Sequence, residues 1–581
     1  MNWQTELNTS AFWLISSLFW VSLSLVITAK LLSYTHFGKQ FWLITKPCIT
    51  QSNRYKMLFL IIILISFILL EVRISVLNTF FYNGLYSSLQ NRDAHAFWFF
   101  ATINALLVGV NIIRSIINDL MRQVFEIRWL EQLNAVMLDR WLANKNYYRL
   151  KYERDLPDNI DQRIEQDARE FITTTVDMIR GVINSVISII EFTLILWGLS
   201  GLLSLFGLEI PKGVVFFIYI FIITATALSV WIGHPLIKLN FNKEKLNGNY
   251  RYSLIRVRDN AESIAFYHGE QQEHTFLKQK FNAIIKNRWQ IVLKMLGLDG
   301  FNTGISEVAK LLPLMLQAPR FFAGQLTLGD MHQTVQSFNR LMRALSFFRL
   351  FYEQFTQYQA RLNRLAGFFN KLDYLDNQPL SQQINHTPQV KLSEFSIKDQ
   401  RGNTLLSNIN LQLSAGESLL IQGPSGSGKT SLLKAIAGIY AFETSGYLET
   451  PKHFLFLPQR PYMPQGTLYQ AICYPNIEAT IEQVCRAMKV CKLEKYLSHL
   501  QQELDWQTIL SPGELQRVAF IRILLTKPEA IFLDETTSAL DEPTEQWLYQ
   551  LIKTKLPNTI MISIGHRTTL QQFHQQVLKL I

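Results

Sequence analysis

The chain has 581 residues, which is too long for one hydrophobic core, so at least two domains are expected. Charged residues make up only 17% and aromatic residues 12%, a mixture that indicates one part in a membrane and another in water. The net charge of +11 lies mostly beside apolar segments and not in a separate basic domain, which argues against a nucleic-acid partner.

Apolar segments long enough to cross about 30 Å of hydrocarbon recur through the N-terminal part of the chain. Seven membrane spans are predicted, at about 11–32, 57–77, 97–116, 182–206, 213–231, 298–316 and 331–351. The first could instead be a cleaved signal peptide, but Glu6 and the lack of Lys or Arg before it favour a retained span. The last two contain charges or amides, which helices that line a wet pathway can carry.

Basic residues concentrate between the first and second spans and again between the third and fourth, where they run from Arg122 to Arg169. Loops rich in Lys and Arg stay in the cytoplasm, so these two loops are predicted to be cytoplasmic. By parity the segment Lys238–Arg288 and everything after the seventh span are also cytoplasmic. The chain therefore contacts a lipid bilayer and exposes its C-terminal domain to the cytoplasm.

The predicted domains are a membrane domain at 1–372, a polar linker with two prolines at 373–389, and a soluble domain at 390–581. Both long internal segments of the membrane domain are predicted to extend its helices well beyond the bilayer, with Asp158 as one cap. Charge-rich stretches at 156–167 and 259–270 lie near their turns. By pattern alone such stretches are typical of solvated helix faces.

The soluble domain contains a glycine loop, GPSGSGKT, between the apolar run Ser418–Gln422 and a helical pattern. Such a loop points backbone N–H groups into one concavity, and the following helix adds its positive end, so a polyphosphate can bind there. Lys429 can reach the β- and γ-phosphates, and the Thr430 hydroxyl can join a Mg²⁺ shell. The predicted cofactor-binding residues here are Gly423, Pro424, Ser425, Gly426, Ser427, Gly428, Lys429, Thr430 and Ser431.

Further polar residues follow the loop at the ends of apolar strands. Gln459 ends the strand pattern that begins at Phe454, and Asp534 with Glu535 ends the strand pattern that begins at Ala530. Asp534 is placed to join the Mg²⁺ shell and Glu535 to polarise a water. Each of these candidate residues could instead have a structural role. Adjacent carboxylates can cap a helix, and a lone histidine such as His566 is often structural. Their joint order favours nucleotide hydrolysis.

In this order the motifs resemble those of an ABC transporter nucleotide-binding domain, from near Val390 to the end. The resemblance makes Gly423–Thr430 the Walker A motif, Leu510–Glu514 the signature and Ser538–Asp541 the D-loop. It implies ATP and Mg²⁺ as cofactors, with Thr430, Gln459 and Asp534 at the metal and Ser511, Gly513 and Glu514 at the nucleotide. Its implied catalytic residues are Glu535, His566 and Gln459.

Because the chain has one P-loop and one signature, the resemblance also implies a homodimer with two composite ATP sites. The signature departs from the family pattern at Pro512, where glycine is usual, and at Glu514, where glutamine is usual. The aromatic residue that usually stacks on adenine would fall near Lys398, and Phe395 is the nearest candidate. The implied fold is an exporter-type membrane α-helical domain of about seven spans plus an α/β P-loop nucleotide-binding domain.

The sequence around the motifs narrows the resemblance to particular groups of transporters. Leu457–Tyr462, Gly466–Leu468 and Tyr474-Pro475 resemble the ABCD group, known for acyl-CoA carriers. The stretch 159–164 and the extra first span are similar to the SbmA/BacA uptake family, fused to an ATPase as in the mycobacterial BacA-like importers of cobalamin and peptides. This likeness implies a bacterial inner membrane, import of bulky hydrophilic solutes, and coupling loops at 156–167 and 259–270, with Glu262 as the coupling carboxylate.

Two alternatives remain open at this point. One is an ABCD-like transporter of acyl-CoA or another lipid, and the other is a membrane-tethered ATPase that regulates without transport. A tether needs only one or two apolar helices. Several of the predicted spans instead carry ionisable groups that should face a wet interior, namely Glu71, Arg73, Arg114, Glu191, Glu307 and Lys310. This favours transport through a large polar cavity.

Overall fold

The structure is a computed structural model that describes residues 3–49, 54–153, 160–205, 208–377, 385–475 and 477–580. The chain divides into two compact units. The helical unit comprises Met1–Ala143 and Pro157–Leu372, and the α/β unit comprises Asn144–Leu156 and Asp373–Ile581.

The helical unit is built from long helices joined by short turns. Its helices are α1 (Trp3–Ser33), α2 (His36–Thr45), α3 (Arg54–Gln90), α4 (Ala94–Leu142), α6 (Ile160–Gln162, continued by a π-helical turn at Arg163–Asp167), α7 (Ala168–Leu199), α8 (Gly213–Asp259), α9 (Ala261–Phe266), α10 (Glu270–Phe322) and α11 (Leu328–Asn377). A hairpin of β1 (Leu202–Leu205) and β2 (Leu208–Pro211) joins α7 to α8, so the fourth apolar helix ends at Leu199, earlier than the predicted span.

Within the described residues, five helical stretches are long and apolar enough to cross a membrane: Asn8–Ser33, Tyr55–Gln90, Ala94–Leu150, Ile160–Leu199 and Gly213–Asp259. They overlap the first five predicted spans, and the fourth stretch ends at Leu199, before the end of its predicted span. The other two predicted spans lie in α10 and α11, whose charges and amides keep them below that limit. The seven-span arrangement therefore stays a prediction for its last two members.

Helices α8 and α10 pack along one another, and each is longer than a bilayer is thick. With 47 and 53 residues and a rise of 1.5 Å per residue, they are about 70 and 80 Å long. The short helix α9 connects them and buries none of its side chains in the chain. Phe266 and Tyr267, at its end, are 75% and 85% exposed, inside the stretch 259–270 that was predicted to couple the domains.

The first helix covers two charged groups of its neighbours. Trp13 donates its indole N–H to Glu191 Oε1 at 2.9 Å, and the Arg73 guanidinium lies 5.6 Å from the Trp13 ring centroid. Arg73 Nε also donates to Ser10 Oγ at 3.0 Å. These two ionisable groups thus contact α1 in place of the wet interior predicted for them. The helix offers polar partners to charges that would otherwise face lipid.

Trp13→Ala is expected to lower the thermal midpoint of the full chain in lipid nanodiscs by several degrees. The substitution removes a hydrogen bond to a charged group and a cation–π contact, together worth about 2 kcal/mol. Trp20→Ala is the matched control on the same helix, because Trp20 is 62% exposed. Equal shifts for the two variants would contradict this role of α1.

The α/β unit contains two sheets and the remaining helices. Its strands are β3 (Asn385–His386), β4 (Val390–Lys398), β5 (Thr404–Leu413), β6 (Ser418–Gln422), β7 (Thr444–Thr450), β8 (Phe454–Leu457), β9 (Ala530–Asp534), β10 (Ile560–Ile564) and β11 (Gln576–Lys579). Its helices are α5 (Asn146–Leu150), α12 (Lys429–Ile436), α13 (Leu468–Ile472), α14 (Ile481–Val490), α15 (Trp506–Ile509), α16 (Pro512–Thr526) and α17 (Glu542–Lys555).

The larger sheet has the parallel order β11-β6-β10-β9-β8, and the smaller has the order β3-β7-β4-β5. Strands β9 and β10 are buried at every residue, as their continuous apolar sequences require between two helical layers. Because the carboxyl ends of parallel strands meet at one edge, the residues after β6, β8, β9 and β10 come together there. This edge positions the candidate site.

Helix α5, from the loop after the third predicted span, is part of the α/β unit. Asn146 Nδ2 donates to Asp376 Oδ1 at 2.9 Å, and Gln400 Nε2 donates to the Tyr152 carbonyl at 3.1 Å. Helix α5 precedes the stretch 156–167 that the sequence predicts to couple the domains, so an earlier part of the same loop belongs to the α/β unit. Residues 156–159, with the predicted cap Asp158, lie outside the described residues, and Asp167 belongs to the helical unit, where Arg364 pairs with it at 2.6 Å.

The predicted linker at 373–389 is partly helical and partly extended. Helix α11 continues to Asn377, and β3 occupies Asn385–His386. The residues between them, 378–384, lie outside the described part of the chain.

Candidate functional site

The glycine loop lies between β6 and α12, as its sequence predicts. Gly426 and Gly428 both have φ of 85°, a left-handed backbone that favours glycine. A Cβ atom at Gly423 would also lie 2.5 Å from the Leu580 carbonyl oxygen. Only glycines at these positions let the loop fold back on itself and present its N–H groups to a bound anion.

The last two residues of the glycine loop, Lys429 and Thr430, contact different partners. Lys429 is buried, and its Nζ donates to the carbonyls of Gly423 at 2.9 Å and Pro424 at 2.7 Å, so the ammonium lies inside the loop. Thr430 Oγ1 donates to Asp534 Oδ1 at 3.1 Å. Burial raises the pKa of Asp534, and the hydrogen bond from Thr430 opposes this effect. Two hard oxygen ligands thus meet where the sequence predicts a Mg²⁺ ion.

The carboxylate of Glu535 contacts both of the other predicted catalytic side chains. Gln459 Nε2 donates to Glu535 Oε2 at 2.9 Å, and His566 Nε2 lies 3.1 Å from Glu535 Oε1. Glu535 has φ of 47°, an uncommon conformation for a residue with a side chain. The three residues come from the ends of β8, β9 and β10, and their contacts fix the carboxylate beside the Mg²⁺ ligands.

The signature residues begin helix α16. Ser511 is its N-cap and forms a capping box with Glu514, whose Oε2 accepts from the Ser511 N–H and hydroxyl, each at 2.8 Å. Lys495 Nζ lies 2.6 Å from Glu514 Oε1. Burial opposes ionisation of Glu514, but the bonds from Lys495 and Ser511 outweigh it and bring its pKa to about 2. The Glu514 carboxylate therefore holds Ser511 in place at the start of the signature helix.

Pro512 and Gly513 fit the helix start. Pro512 occupies the first helical turn, where the missing N–H has no partner inside the helix and the fixed φ is helical. A Cβ at Gly513 would lie 3.3 Å from the Ala539 carbonyl, so the signature packs closely against the D-loop. The departure from glycine at Pro512 thus leaves the cap at Ser511 intact.

Gln516 is a site residue that the sequence motifs do not single out. Its Nε2 lies 3.4 Å from the Gln459 carbonyl and 3.3 Å from Ser538 Oγ, and its Oε1 accepts from the Ala539 N–H at 3.1 Å. One side chain from the signature helix thus contacts both the loop that carries Gln459 and the D-loop. Only the tertiary packing of α16 reveals this role.

Phe395 is excluded as the residue that stacks on adenine. It is 1% exposed and lies in the core formed by β4, β6 and α12. A β-bulge in β4, where Glu394 has φ of 50°, shifts Phe395 onto the same buried face as Leu392. Lys398, at the predicted stacking position, pairs with Glu443 at 2.8 Å.

Discrimination between ATP and GTP is therefore expected to be weak. Without an aromatic side chain at position 398, base stacking should contribute little to affinity. Hydrolysis of the two nucleotides by the purified chain should show KM values that agree within about tenfold, a free-energy difference of about 1.4 kcal/mol. A much stronger preference for ATP would contradict this expectation.

The residues at the edge of the parallel sheet fit a magnesium nucleoside triphosphate. Besides the loop N–H groups and Lys429, the buried Ser427 Oγ has no hydrogen-bond partner among the described residues, as expected of a group that binds a ligand. Thr430, Asp534 and Gln459 supply the oxygen atoms that a hard cation prefers.

Comparison with known proteins places both parts of the chain. A family model described as ABC transporter transmembrane region 2 matches residues 44–322, and one described as ABC transporter matches residues 406–538. An uncharacterized ABC transporter ATP-binding protein of Haemophilus influenzae is 65% identical over 100% of this chain and 99% of its own.

More distant relatives are also similar along most of their length. ABC transporter D family member 2, chloroplastic, of Arabidopsis thaliana is 31% identical over 93% of this chain and 86% of its own. The lysosomal cobalamin transporter ABCD4 of Homo sapiens is 28% identical over 85% of this chain and 87% of its own. The solved structure of a bacterial Atm1-family ABC exporter with ATP bound matches with a TM-score of 0.68 and 19% identity, covering 92% of this chain and 94% of that one, which shows the exporter-type fold.

Proposed function

The chain belongs to the ABC transporter family, with relatives in its D group, and from this we propose that it works as a homodimeric importer of bulky hydrophilic solutes. It is a multi-pass membrane protein that binds ATP and couples ATP hydrolysis to transport. The proposed location is a bacterial inner membrane with the α/β unit in the cytoplasm, as the basic loops predict.

The proposed catalytic roles follow from the contacts at the sheet edge. The glycine loop with Lys429 binds the β- and γ-phosphates, and Thr430, Asp534 and Gln459 hold Mg²⁺, which neutralises charge that develops on the phosphates. Glu535 orients the attacking water, and Gln459 and His566 fix its carboxylate at 2.9 and 3.1 Å. This constellation is the observation that carries the assignment of ATP-driven function.

The homodimer is proposed because a single chain supplies half of each composite site. Within the chain the capped N-terminus of α16 presents Ser511, and a second copy would bring its own Ser511 to this P-loop. Helices α8 and α10 also leave large apolar side chains exposed, among them Trp231 at 76% and Leu293 at 65%. A partner protomer or lipid would cover them.

The hydrophilic cargo rests on polar groups inside the helical unit. Inside the unit, Glu71 pairs with Arg114 at 3.3 Å and with Arg180 at 3.4 Å, whereas Glu307 and Lys310 pair at 2.5 Å on its exposed surface. Charges in spans cost several kcal/mol unless they pair or face water. The likeness to the SbmA/BacA family and the cobalamin named for one relative support import of cobalamin or hydrophilic peptides.

A lipid cargo is the second candidate, and a groove between α8 and α10 favours it. This groove has a volume of about 910 Å³, with walls from Ile237, Phe241 and Leu293 beside the cations Lys238 and Lys294. An anionic amphiphile such as an acyl-CoA would suit these walls. A tethered ATPase regulator is less favoured, because five apolar helices exceed what a tether needs.

The cargo can be tested with the purified chain in proteoliposomes. We expect cobalamin or a hydrophilic peptide to stimulate ATP hydrolysis, and palmitoyl-CoA to leave it near its basal rate. Stimulation by palmitoyl-CoA alone would favour the lipid candidate, and no stimulation by any of the three would favour the regulator.

A further inference from the structure

A second, smaller cavity lies inside the helical unit, between α3, α7 and α11. Its volume is about 320 Å³, and its charged lining residues are Glu71, Asp177, Arg180, Arg340 and Arg343. The small polar side chains of Asn184, Ser185 and Ser188 line it as well. We call it the arginine cavity. Glu71, Arg340 and Arg343 fall within predicted spans, where ionisable groups are costly and mark a functional site.

The carboxylates of the arginine cavity already have cationic partners. Glu71 accepts from Arg114, which is 6% exposed, and from Arg180. Asp177 pairs with Arg122 at 3.2 Å, and Arg122 also pairs with Glu126 at 3.3 Å. The cluster therefore holds five guanidinium groups, on Arg114, Arg122, Arg180, Arg340 and Arg343, against three carboxylates, an excess of two positive charges.

The two arginines of α11 account for this excess. Arg340 and Arg343 are three residues apart on one helix face, and both line the cavity. Among the side chains that the structure describes, neither forms an ion pair with a carboxylate, and Arg343 Nε donates only to the Asn339 carbonyl at 3.4 Å. Glu71 lines the same cavity, but it already pairs with Arg114 and Arg180. Guanidinium groups in a span are costly unless they are paired or face water, and the forked donors of Arg340 and Arg343 suit carboxylate or phosphate oxygens.

From this juxtaposition we propose that the arginine cavity binds an anionic group of the cargo, a carboxylate or phosphate on a soluble solute. The inference rests on the proposed transport function and adds the charge of the substrate to it. The lining favours a hydrophilic solute over a lipid, since among the lining residues that the structure describes only Ala344 and Phe347 have apolar side chains, too few to bind an acyl chain. A volume of 320 Å³ corresponds to about ten water molecules, ample for such a group.

The test is equilibrium binding, measured by isothermal titration calorimetry on the full chain in phosphatidylcholine nanodiscs without nucleotide. The probes are two blocked tetrapeptides of equal length, one of four glutamates and one of four glutamines. We expect the acidic peptide to bind at least about tenfold more tightly than the neutral one. Equal binding of the two peptides, or no binding of either, would overturn the inference.

Variants identify the cavity as the site. The double variant Arg340→Gln with Arg343→Gln should weaken binding of the acidic peptide by at least about tenfold. Arg340→Lys with Arg343→Lys keeps the charge and should stay within about threefold of wild type, which separates lost charge from lost folding. Arg92→Gln, at an exposed turn, is the control and should bind as wild type does. Wild-type affinity in the double glutamine variant would overturn the inference.

A third arm separates a soluble solute from a lipid headgroup. In nanodiscs that contain phosphatidylglycerol, the acidic peptide should bind as it does in phosphatidylcholine, and its displacement by the anionic lipid would overturn the assignment to a soluble solute. Failure of this inference is distinct from failure of the transport proposal. Uptake of cobalamin or peptides without binding of the acidic peptide would remove the inference alone, whereas binding without uptake of any solute would remove the proposed transport function.

Discussion

Glu535→Gln is expected to lower the rate of ATP hydrolysis by at least about 100-fold while ATP binding is retained. The substitution keeps the shape of the side chain and its contacts with Gln459 and His566, but an amide cannot orient and polarise the attacking water as a carboxylate does. Phosphate release and equilibrium ATP binding, measured on the same purified protein, separate the two effects.

The matched control for Glu535→Gln is Glu482→Gln, which changes an exposed carboxylate in the first turn of α14. This variant should hydrolyse ATP at nearly the wild-type rate. A wild-type rate for Glu535→Gln would remove Glu535 from its catalytic role, and a loss of ATP binding would show that its effect is structural.

Mixed dimers of a Lys429→Ala chain and a Ser511→Ala chain are expected to recover about half of the wild-type ATPase activity, because one composite site contains neither substitution. Each variant alone should lose about 100-fold, since Lys429 neutralises phosphate charge and Ser511 caps the helix that faces the nucleotide of the partner. Chains with two different affinity tags allow the mixed dimer to be purified for the assay.

The control for the mixed dimer is a doubly tagged dimer of two Lys429→Ala chains, which should stay inactive. A mixed dimer no more active than its parents would show that each chain forms its own complete site. Active monomers in mild detergent would lead to the same conclusion.

Sequence patterns predicted which of the candidate site residues come together, because these residues follow strands of one parallel sheet. Once the apolar runs before Gly423, Gln459, Asp534 and His566 are recognised as strands, their carboxyl ends must meet at one edge. The contact between Thr430, at the start of α12 after β6, and Asp534, at the end of β9, lies at this edge. The helix start at Ser511 also has a short-range signal, since a serine three residues before a glutamate is typical of a capping box.

Other features depend on local irregularity or on distant contacts. The position of Phe395 could not be predicted, because strict alternation along β4 would place it opposite Leu392, and one bulge near Glu394 reverses that. Helix α5 and the stretch 156–167 have similar polar, helix-like sequences. Only the contacts of Asn146 and Tyr152 show that α5 belongs to the α/β unit. The partners of Glu71 lie on other helices and have no sequence signal.

The coupling of ATP hydrolysis to solute movement is tested most directly by transport in sealed proteoliposomes whose α/β units face outward. Import into the cytoplasm then corresponds to exit from the lumen, so vesicles loaded with labelled cobalamin or a labelled hydrophilic peptide should lose it when MgATP is added outside. Vesicles that contain the Glu535→Gln chain should retain their label. Equal loss from both preparations, or no loss from either while ATP is hydrolysed, would contradict the proposed ATP-driven import.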